Sequence, residues 1–465
     1  MSRGWMQASR LPSRLLGLLV TVAVLAGCGV SEGVSPEEPA SEEQGTGSTS
    51  KPRPSGGETR WVHTVRSAAE SDVPVAVEQD ARDNVITLGN HRTPIDFGEG
   101  PVGSPSGASV LALSKHVPHG ARLWSRLLEA PPRPGTSPYV RGQALAVEAT
   151  GHFLLLGLQS GGLDLGGGAL PPGAFLARFD ANGTPLWARA LPTNATKLAV
   201  DKRGDITLAG VLSGRVDFGN GPVTGTAQPF LVRYDSKGGL RWVYVDSARG
   251  VPMDLAQDDA GDLYLVGGRF LPPNALLTPF LSRLSPEGQL EWTRTLAGAS
   301  GLTTSVAAHG NHVVVSGYFT GSFVFQDKTL TATASRGFVL AYSRDLDERW
   351  GFLLGSASGL VSMDQGSGVV IAGRYAGGED FGLGLGALSG YPGATNLYVL
   401  RLQRPTGRPQ WIRTYPSASG LPLDLSATRQ GESTLVGTFR APVDFGPGPL
   451  SPAPGGNTFL LQLER

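Results

Sequence analysis

The stretch "FLVRYDSKGGLRWVYV", residues 230–245, reads as a β-hairpin. Apolar residues alternate on both sides of Asp235-Ser236-Lys237-Gly238, and the second arm carries Trp242. Period-2 alternation interrupted by a polar, glycine-bearing turn marks two antiparallel strands. The same pattern returns as "FLARFDANGTPLWARAL" at 175–191 and "FLSRLSPEGQLEWTRTL" at 280–296. Phe175, Phe230, Phe280 and Phe338 each stand twelve residues before a tryptophan, and Tyr398 stands thirteen before Trp411. The hairpin is the rigid part of a repeat.

Upstream of it, "KLAVDKRGD" (197–205) and "DITLAGVLSG" (205–214) read as two further strands joined by a polar turn. Each period therefore predicts four antiparallel strands. Between the second and third lies "VDFGNGPV" (216–223), whose Asp217-Phe218-Gly219 is the triplet that holds magnesium in protein kinases. The chain has no Gly-rich loop with a strand lysine and no HRD-type catalytic loop, which a kinase requires. The triplet also recurs, at Asp96, Asp380 and Asp444, with a weaker copy at Asp164-Leu165-Gly166. Repetition assigns it to a turn: the Phe supplies apolar surface, the Asp bonds backbone amides, and the Gly permits positive φ. In the fourth and fifth periods Leu276-Leu277 and Phe323-Val324-Phe325 keep the apolar part. The connection from second to third strand varies in length and is expected to form surface loops.

Trp61, Trp124, Trp187, Trp242, Trp292, Trp350 and Trp411 recur about every 50 to 63 residues, a period typical of propeller blades. They are expected to be structural residues of the repeat, one per blade. The last period ends at residue 465 before reaching its Trp strand, while "TRWVHTV" (59–65) is a Trp strand with no preceding three. The two halves make one blade only if the chain closes on itself. The fold class is thus all-β: one seven-bladed propeller over residues 59–465, closed by its N-terminal strand, which removes open sheet edges.

The N-terminus is a targeting segment. Arg3, Arg10 and Arg14 precede an apolar run from Leu15 to Leu25, too short to span a bilayer. Residues 28–58 are rich in Ser, Glu, Gly and Pro and too polar to fold alone, so they read as a tether of roughly 30 Å as a coil and up to ~90 Å extended. The chain carries no charge signal for nucleic acid: 39 basic residues balance 39 acidic ones. Gly (66) and Pro (35) suit short strands and tight turns better than long helices. Cys28 is the only cysteine, so no intrachain disulfide forms.

Leu25-Ala26-Gly27-Cys28 resembles the lipobox of bacterial lipoproteins. The resemblance implies cleavage after residue 27, acylation of Cys28 (palmitate among the acyl chains) and a lipid-anchored place in the bacterial envelope. Gly29, rather than Asp, favours the outer membrane over the inner by the same resemblance. The hairpin "RFDANGTPLW" resembles the Ala-x-Asp-x-x-Thr-Gly-x-x-x-Trp repeat of quinoprotein-like propellers, and the whole period resembles the β-propeller repeat of bacterial surface proteins. Quinoprotein dehydrogenases carry pyrroloquinoline quinone and calcium, often beside adjacent cysteines. With Cys28 alone and no single-copy acidic cluster apparent, no cofactor is expected.

No catalytic constellation emerges. His309 and His312 lack a third ligand for zinc, and the turn acids lack the spacing of a calcium loop. Arg178, Arg233, Arg283 and Arg401 recur at one hairpin position, which favours structural pairing with an Asp. The chain is expected to be a monomeric binding or scaffolding propeller for a protein or glycan. Alternatives are a glycan lyase or hydrolase, supported if single-copy carboxylates meet at the central pocket, and an outer-membrane-protein assembly factor. The longest second-to-third connection, in the sixth period, offers Arg374, Tyr375, Asp380 and Tyr391 as a candidate binding rim. The anchor is directly testable: Cys28→Ser should move the protein from the membrane to the soluble fraction with its fold intact. Detergent-dependent membrane association that survives the substitution would refute lipidation.

Overall fold

Each sequence period becomes a four-stranded antiparallel sheet, and seven such sheets form a β-propeller. The computed structural model describes residues 56–66, 72–92, 94–96, 101–102, 109–131, 137–272, 276–355, 358–391, 395–416, 420–453 and 456–465. The signal segment, Cys28 and the tether through residue 55 lie outside these, as do Phe97 and Gly98. No helix occurs among the described residues. Blades are numbered here from the sheet that begins with Val73–Gln79.

Blade 3 shows how local chemistry builds the unit. Its strands are Ala195–Val200, Ile206–Asp217, Pro222–Tyr234 and Leu240–Val245, innermost to outermost. Asp235 closes the hairpin by accepting the N–H groups of Lys237 at 2.9 Å and Gly239 at 2.8 Å. Gly238 adopts φ 89°, a conformation that costs glycine little. The pairing then skips a residue between Arg233 and Tyr234, so Arg241 bulges beside Trp242. The same skip precedes the tryptophan in all seven blades.

Where the clasp is complete, the bulge aims the tryptophan at the hairpin of the following blade. Trp242 lies so close to Gly288 that a Cβ there would come within 2.6 Å of the indole; Trp350 on Gly407 and Trp411 on Gly57 repeat that distance. Trp61 covers Gly120 at 3.0 Å. Gly57, Gly120, Gly288 and Gly407 all have positive φ. The indole N–H groups of Trp61, Trp242 and Trp350 donate to the carbonyls of Pro118, Pro286 and Arg404 at 2.9, 3.0 and 2.7 Å.

The other three tryptophans correct the expectation of seven equivalent copies: none of Trp124, Trp187 and Trp292 makes the full contact. A Cβ at Gly183 would come within 3.2 Å of the edge of the Trp124 ring but nearer, 2.8 Å, to Arg126. The Trp124 indole N–H still donates to the Ala181 carbonyl, at 3.3 Å. Trp187 does not reach Gly238, where the Arg189 guanidinium takes the place of an indole and donates to the Gly238 carbonyl at 2.7 Å. Trp292 has no glycine to cover, since the next hairpin turns through Leu346 at φ 76°, whose side chain denies a close approach. Its indole N–H has no hydrogen-bond partner. Trp292 and Trp187 instead pack at the margins of their inter-blade clusters.

A second glycine serves the interior of the blade. Gly157, Gly210, Gly267, Gly317, Gly373 and Gly437 on the second strands stand opposite Phe175, Phe230, Phe280, Phe338, Tyr398 and Phe459 on the third. Each lacks a side chain where the aromatic ring lies across it.

The second-to-third connections are more regular than loops. In blades 3 and 5 the strands run on as long hairpins, Ile206–Asp217 with Pro222–Tyr234 and His312–Phe325 with Lys328–Tyr342. Short strand pairs, Ile95–Asp96 with Pro101–Val102 and Val443–Asp444 with Pro449–Leu450, do the same in blades 1 and 7. Asp217, Asp380 and Asp444 each accept the N–H two residues on, at 2.8, 2.8 and 2.7 Å. The intervening phenylalanines fold back onto the third strand, Phe218 on Phe230 at 5.2 Å and Phe381 on Tyr398 at 5.0 Å. Phe323 and Phe325 are buried in blade 5. In blade 4 the expectation needs correcting: Leu276 is 60% exposed, and Leu277 alone turns inward, against Gly268.

The ring closes as one strand crosses from the N-terminus to the end of the chain. Thr59–Arg66 pairs antiparallel with Asn457–Leu463 to complete blade 7. Deleting residues 59–66 removes that ladder, opens two edges and takes away Trp61. Truncating a well-packed Trp typically costs about 3–5 kcal/mol, against a total stability of about 5–15. Thermal unfolding should therefore place this deletion far below a deletion of residues 29–54. Equal midpoints would contradict the closure.

Candidate functional site

The recurring cations are committed to the fold. Arg178, Arg233 and Arg283 pair with Glu148, Asp201 and Asp262 of their own blades at 2.6, 2.5 and 2.7 Å, and Arg401 pairs with Asp364. Lys115 takes the same position in blade 1 and meets Asp80 at 2.8 Å. Each joins the third strand to the turn after the first strand, so none offers an unpaired guanidinium to a ligand. His309 Nδ1 lies 2.9 Å from Asp259, and no group of three metal-ligating side chains occurs among the described residues.

The four residues expected at a rim in blade 6 separate. Tyr391 is 58% exposed and Asp380 is exposed. Tyr375 is a correction: it is buried, its hydroxyl donates to the Ser389 carbonyl, and it packs edge-on against Tyr398. It braces the connection from inside. Arg374 is half-buried, and burial lowers its pKa from the usual value. Phe381 and Leu388 enter the core beneath the glycines, so the connection is stapled down at two points.

The central channel is lined by the seven inner strands and holds groups that the sequence reading passed over. Six of these strands bulge at equivalent places. Inner-strand amides also reach acceptors on the preceding blade, with or without a bulge. Asp424 accepts the Val77 N–H at 2.7 Å and Asp254 accepts the Val306 N–H at 2.9 Å. In blade 6, the Val361 N–H donates to the Ser305 hydroxyl at 3.1 Å. Burial pushes Asp424 up to about 7, against the opposing pull of the Val77 and Leu425 amides. Burial, with the charges of Asp424 and Asp254, pushes Glu78 up to about 8. Glu78 also borders the channel mouth, a cavity of about 300 Å³ that includes Asp83, Lys202, His309 and Arg429.

Glu78 was legible in retrospect. Its equivalents in blades 2 to 7 are Ala146, Ala199, Ala256, Ala307, Ser362 and Ser426, so one carboxyl stands in a ring of small side chains. Only alignment of the repeats, bulge included, exposes that departure.

No family model matches the sequence, and no curated protein matches it. Solved structures of similar fold include the WD40 domain of Pan2 from Neurospora crassa (9% identity, TM-score 0.48, 87% of this chain and 96% of that one). Virginiamycin B lyase from Staphylococcus aureus is another, at 10% identity and TM-score 0.45 over 87% of this chain and 99% of that one. The β-propeller domain of the trilobed protease from Pyrococcus furiosus gives 7% identity and TM-score 0.42 over 80% and 91%. At such identities the likeness concerns the fold alone.

Glu78 and Asp424 titrate higher in the folded chain than in the unfolded one. Their stabilising contribution is complete at low pH and is lost as pH rises through about 7 to 8. The melting temperature should fall between pH 6 and pH 9, and less steeply in Glu78→Gln. Parallel pH profiles for the two proteins would show that Glu78 is not shifted upward.

Proposed function

We propose that this chain is an envelope lipoprotein whose propeller binds or scaffolds a partner on the face built by the second-to-third strand connections. The observation that supports this is the placement of exposed apolar side chains. Phe270 and Leu276 in blade 4, Val324 in blade 5 and Tyr391 in blade 6 are 40%, 60%, 55% and 58% exposed. All four belong to that face, on three consecutive blades. Large apolar groups on one face mark an interaction surface. The tether and Cys28 supply the membrane attachment in this reading.

A second reading rests on Glu78 and Asp424. Glycosidic bond cleavage uses two carboxyl groups held in different protonation states, and a group pushed up to about 8 is a proton donor near neutrality. In that reading envelope glycans enter the channel mouth, and Glu78→Gln abolishes turnover while retaining binding.

Photo-crosslinking residues placed at Tyr391 and, on the opposite face, at Lys202 separate the two. A protein adduct from Tyr391 alone in intact envelopes is the expected result. Glycan adducts from Lys202 alone would favour the second reading, and no adduct from Tyr391 would overturn the first. An unfolded outer-membrane barrel captured at Tyr391 would identify the scaffold as an assembly factor.

A further inference from the structure

The junction between blade 7 and blade 1, where the ring closes, is built unlike the other six. Its buried apolar cluster is the smallest among the described residues: Val77, Val85, Val436 and Leu460, with Trp61 packed against it. Beside that cluster lies a cavity of about 640 Å³, which reaches His63 and Arg122 at its mouth.

The cavity exists because blade 1 departs from the repeat on the surface it turns towards blade 7. Blades 2 to 7 carry Phe or Tyr opposite the second-strand glycine, whereas blade 1 pairs Gly89 with Ala112. Four residues further along the third strand, Phe179, Tyr234, Leu284, Tyr342, Leu402 and Leu463 are fully or almost fully buried at the position that is His116 in blade 1. Midway between Ala112 and His116 stands Ser114, and across from it Thr87 replaces the leucine, isoleucine or valine of every other blade. A large ring is thus traded for a methyl, and apolar positions for hydroxyls and an imidazole, at the junction that holds the ring shut. Such losses of packing weaken a fold, and local rules are broken most often where function requires it.

The polar groups form an ordered chain. Thr87 Oγ1 and Ser114 Oγ are 2.7 Å apart, and Ser114 Oγ is 3.0 Å from His116 Nε2. His116 Nδ1 lies 3.2 Å from the Gly120 carbonyl and His63 Nε2 lies 2.8 Å from the same oxygen, so both nitrogens donate. His116 Nε2 is therefore the acceptor for the Ser114 hydroxyl. Burial lowers both His91 and His116 to about 4, with Asp72 opposing the shift at His91, so both rings are neutral at pH 7. Among the described residues no carboxylate lines the cavity, and Arg122 at the mouth already has a partner in the structure.

We propose that this cavity binds a small uncharged aromatic alcohol, a phenolic compound, with its ring above Ala112, beside the His91 imidazole that covers Gly89, and its hydroxyl on the Thr87–Ser114–His116 chain. The ring occupies the space above Ala112 that the His91 imidazole leaves free, and the hydroxyl joins the polar chain, of which the serine alone recurs at the same position, as Ser282 in blade 4. A volume of about 640 Å³ falls within the usual range for small-molecule pockets. This site is independent of the partner face proposed above.

The test uses the folded chain and three naphthalene probes at pH 7.5: 2-naphthol, 2-naphthoate and 2-naphthylmethylamine, titrated calorimetrically. Saturable binding of 2-naphthol at least tenfold tighter than either charged probe is expected. Ala112→Phe should abolish that binding by filling the space above Ala112. Ser114→Ala, which keeps the space and removes the hydroxyl, should weaken 2-naphthol severalfold at an unchanged melting temperature. That second variant keeps the proposal testable if Ala112→Phe fails to fold. Absence of saturable 2-naphthol binding, equal binding by Ala112→Phe, or preference for a charged probe would each overturn the assignment.

Discussion

The fold depends on the clasp between neighbouring blades: an outer-strand side chain, aimed by a bulge, laid over the hairpin turn of the next sheet. Its fullest form is an indole on a positive-φ glycine, as Trp242, Trp350 and Trp411 make it. Around Trp124, Trp187 and Trp292 the clasp is looser, with Arg126 and Arg189 sharing or replacing the indole and Leu346 standing where a glycine would be. Four-stranded sheets have exposed edges and cannot bury both faces alone. The clasp orders the outer strands while aliphatic and aromatic side chains fill the wedges between neighbouring sheets. The last clasps depend on the N-terminal strand, which meets Asn457–Leu463 from the far end of the chain. Trp411 rests on Gly57 because no hairpin remains in blade 7 to supply the glycine.

A repeated scaffold makes its exceptions informative. Where a position is Phe or Tyr in six blades, Ala112 in the seventh leaves the His91 imidazole to cover Gly89 and opens a cavity beside it. Where six equivalents are Ala or Ser, Glu78 introduces a carboxyl that burial drives towards protonation. Both departures lie in blade 1, one facing the channel and the other facing blade 7. The recurring Asp-Phe-Gly and the recurring arginines behave oppositely: among the described residues the copies repeat the same local bonds, which is the behaviour of structure. The two faces also differ. Turns after the first strands gather paired charges round the channel mouth, and the opposite face shows apolar side chains on blades 4 to 6, while Leu123, Leu186 and Leu290 are exposed at the starts of outer strands.

By itself the sequence determined the strand pattern, the count of seven and the circular closure. Those features are written in short-range signals: alternation, a glycine turn, a Trp at a set distance, and half a blade at each end. The tertiary structure decided what the side chains between those signals face. Even the tryptophans share a spacing without sharing an environment, because each one's partner belongs to the next blade and not to its own hairpin. Arg374 and Tyr375 are neighbours in sequence and both looked suited to a rim, yet the alternation of the strand sends Tyr375 inward to Tyr398. The elastic connections became hairpins because their strands continue pairing past the edge of the blade. Glu78 acquires its shifted carboxyl from burial and from Asp424 and Asp254, more than a hundred residues away, and the pocket at the closing junction needs both ends of the chain to exist. Local pattern specifies a repeat; chemistry arises where distant repeats are brought face to face, and only the closed ring does that.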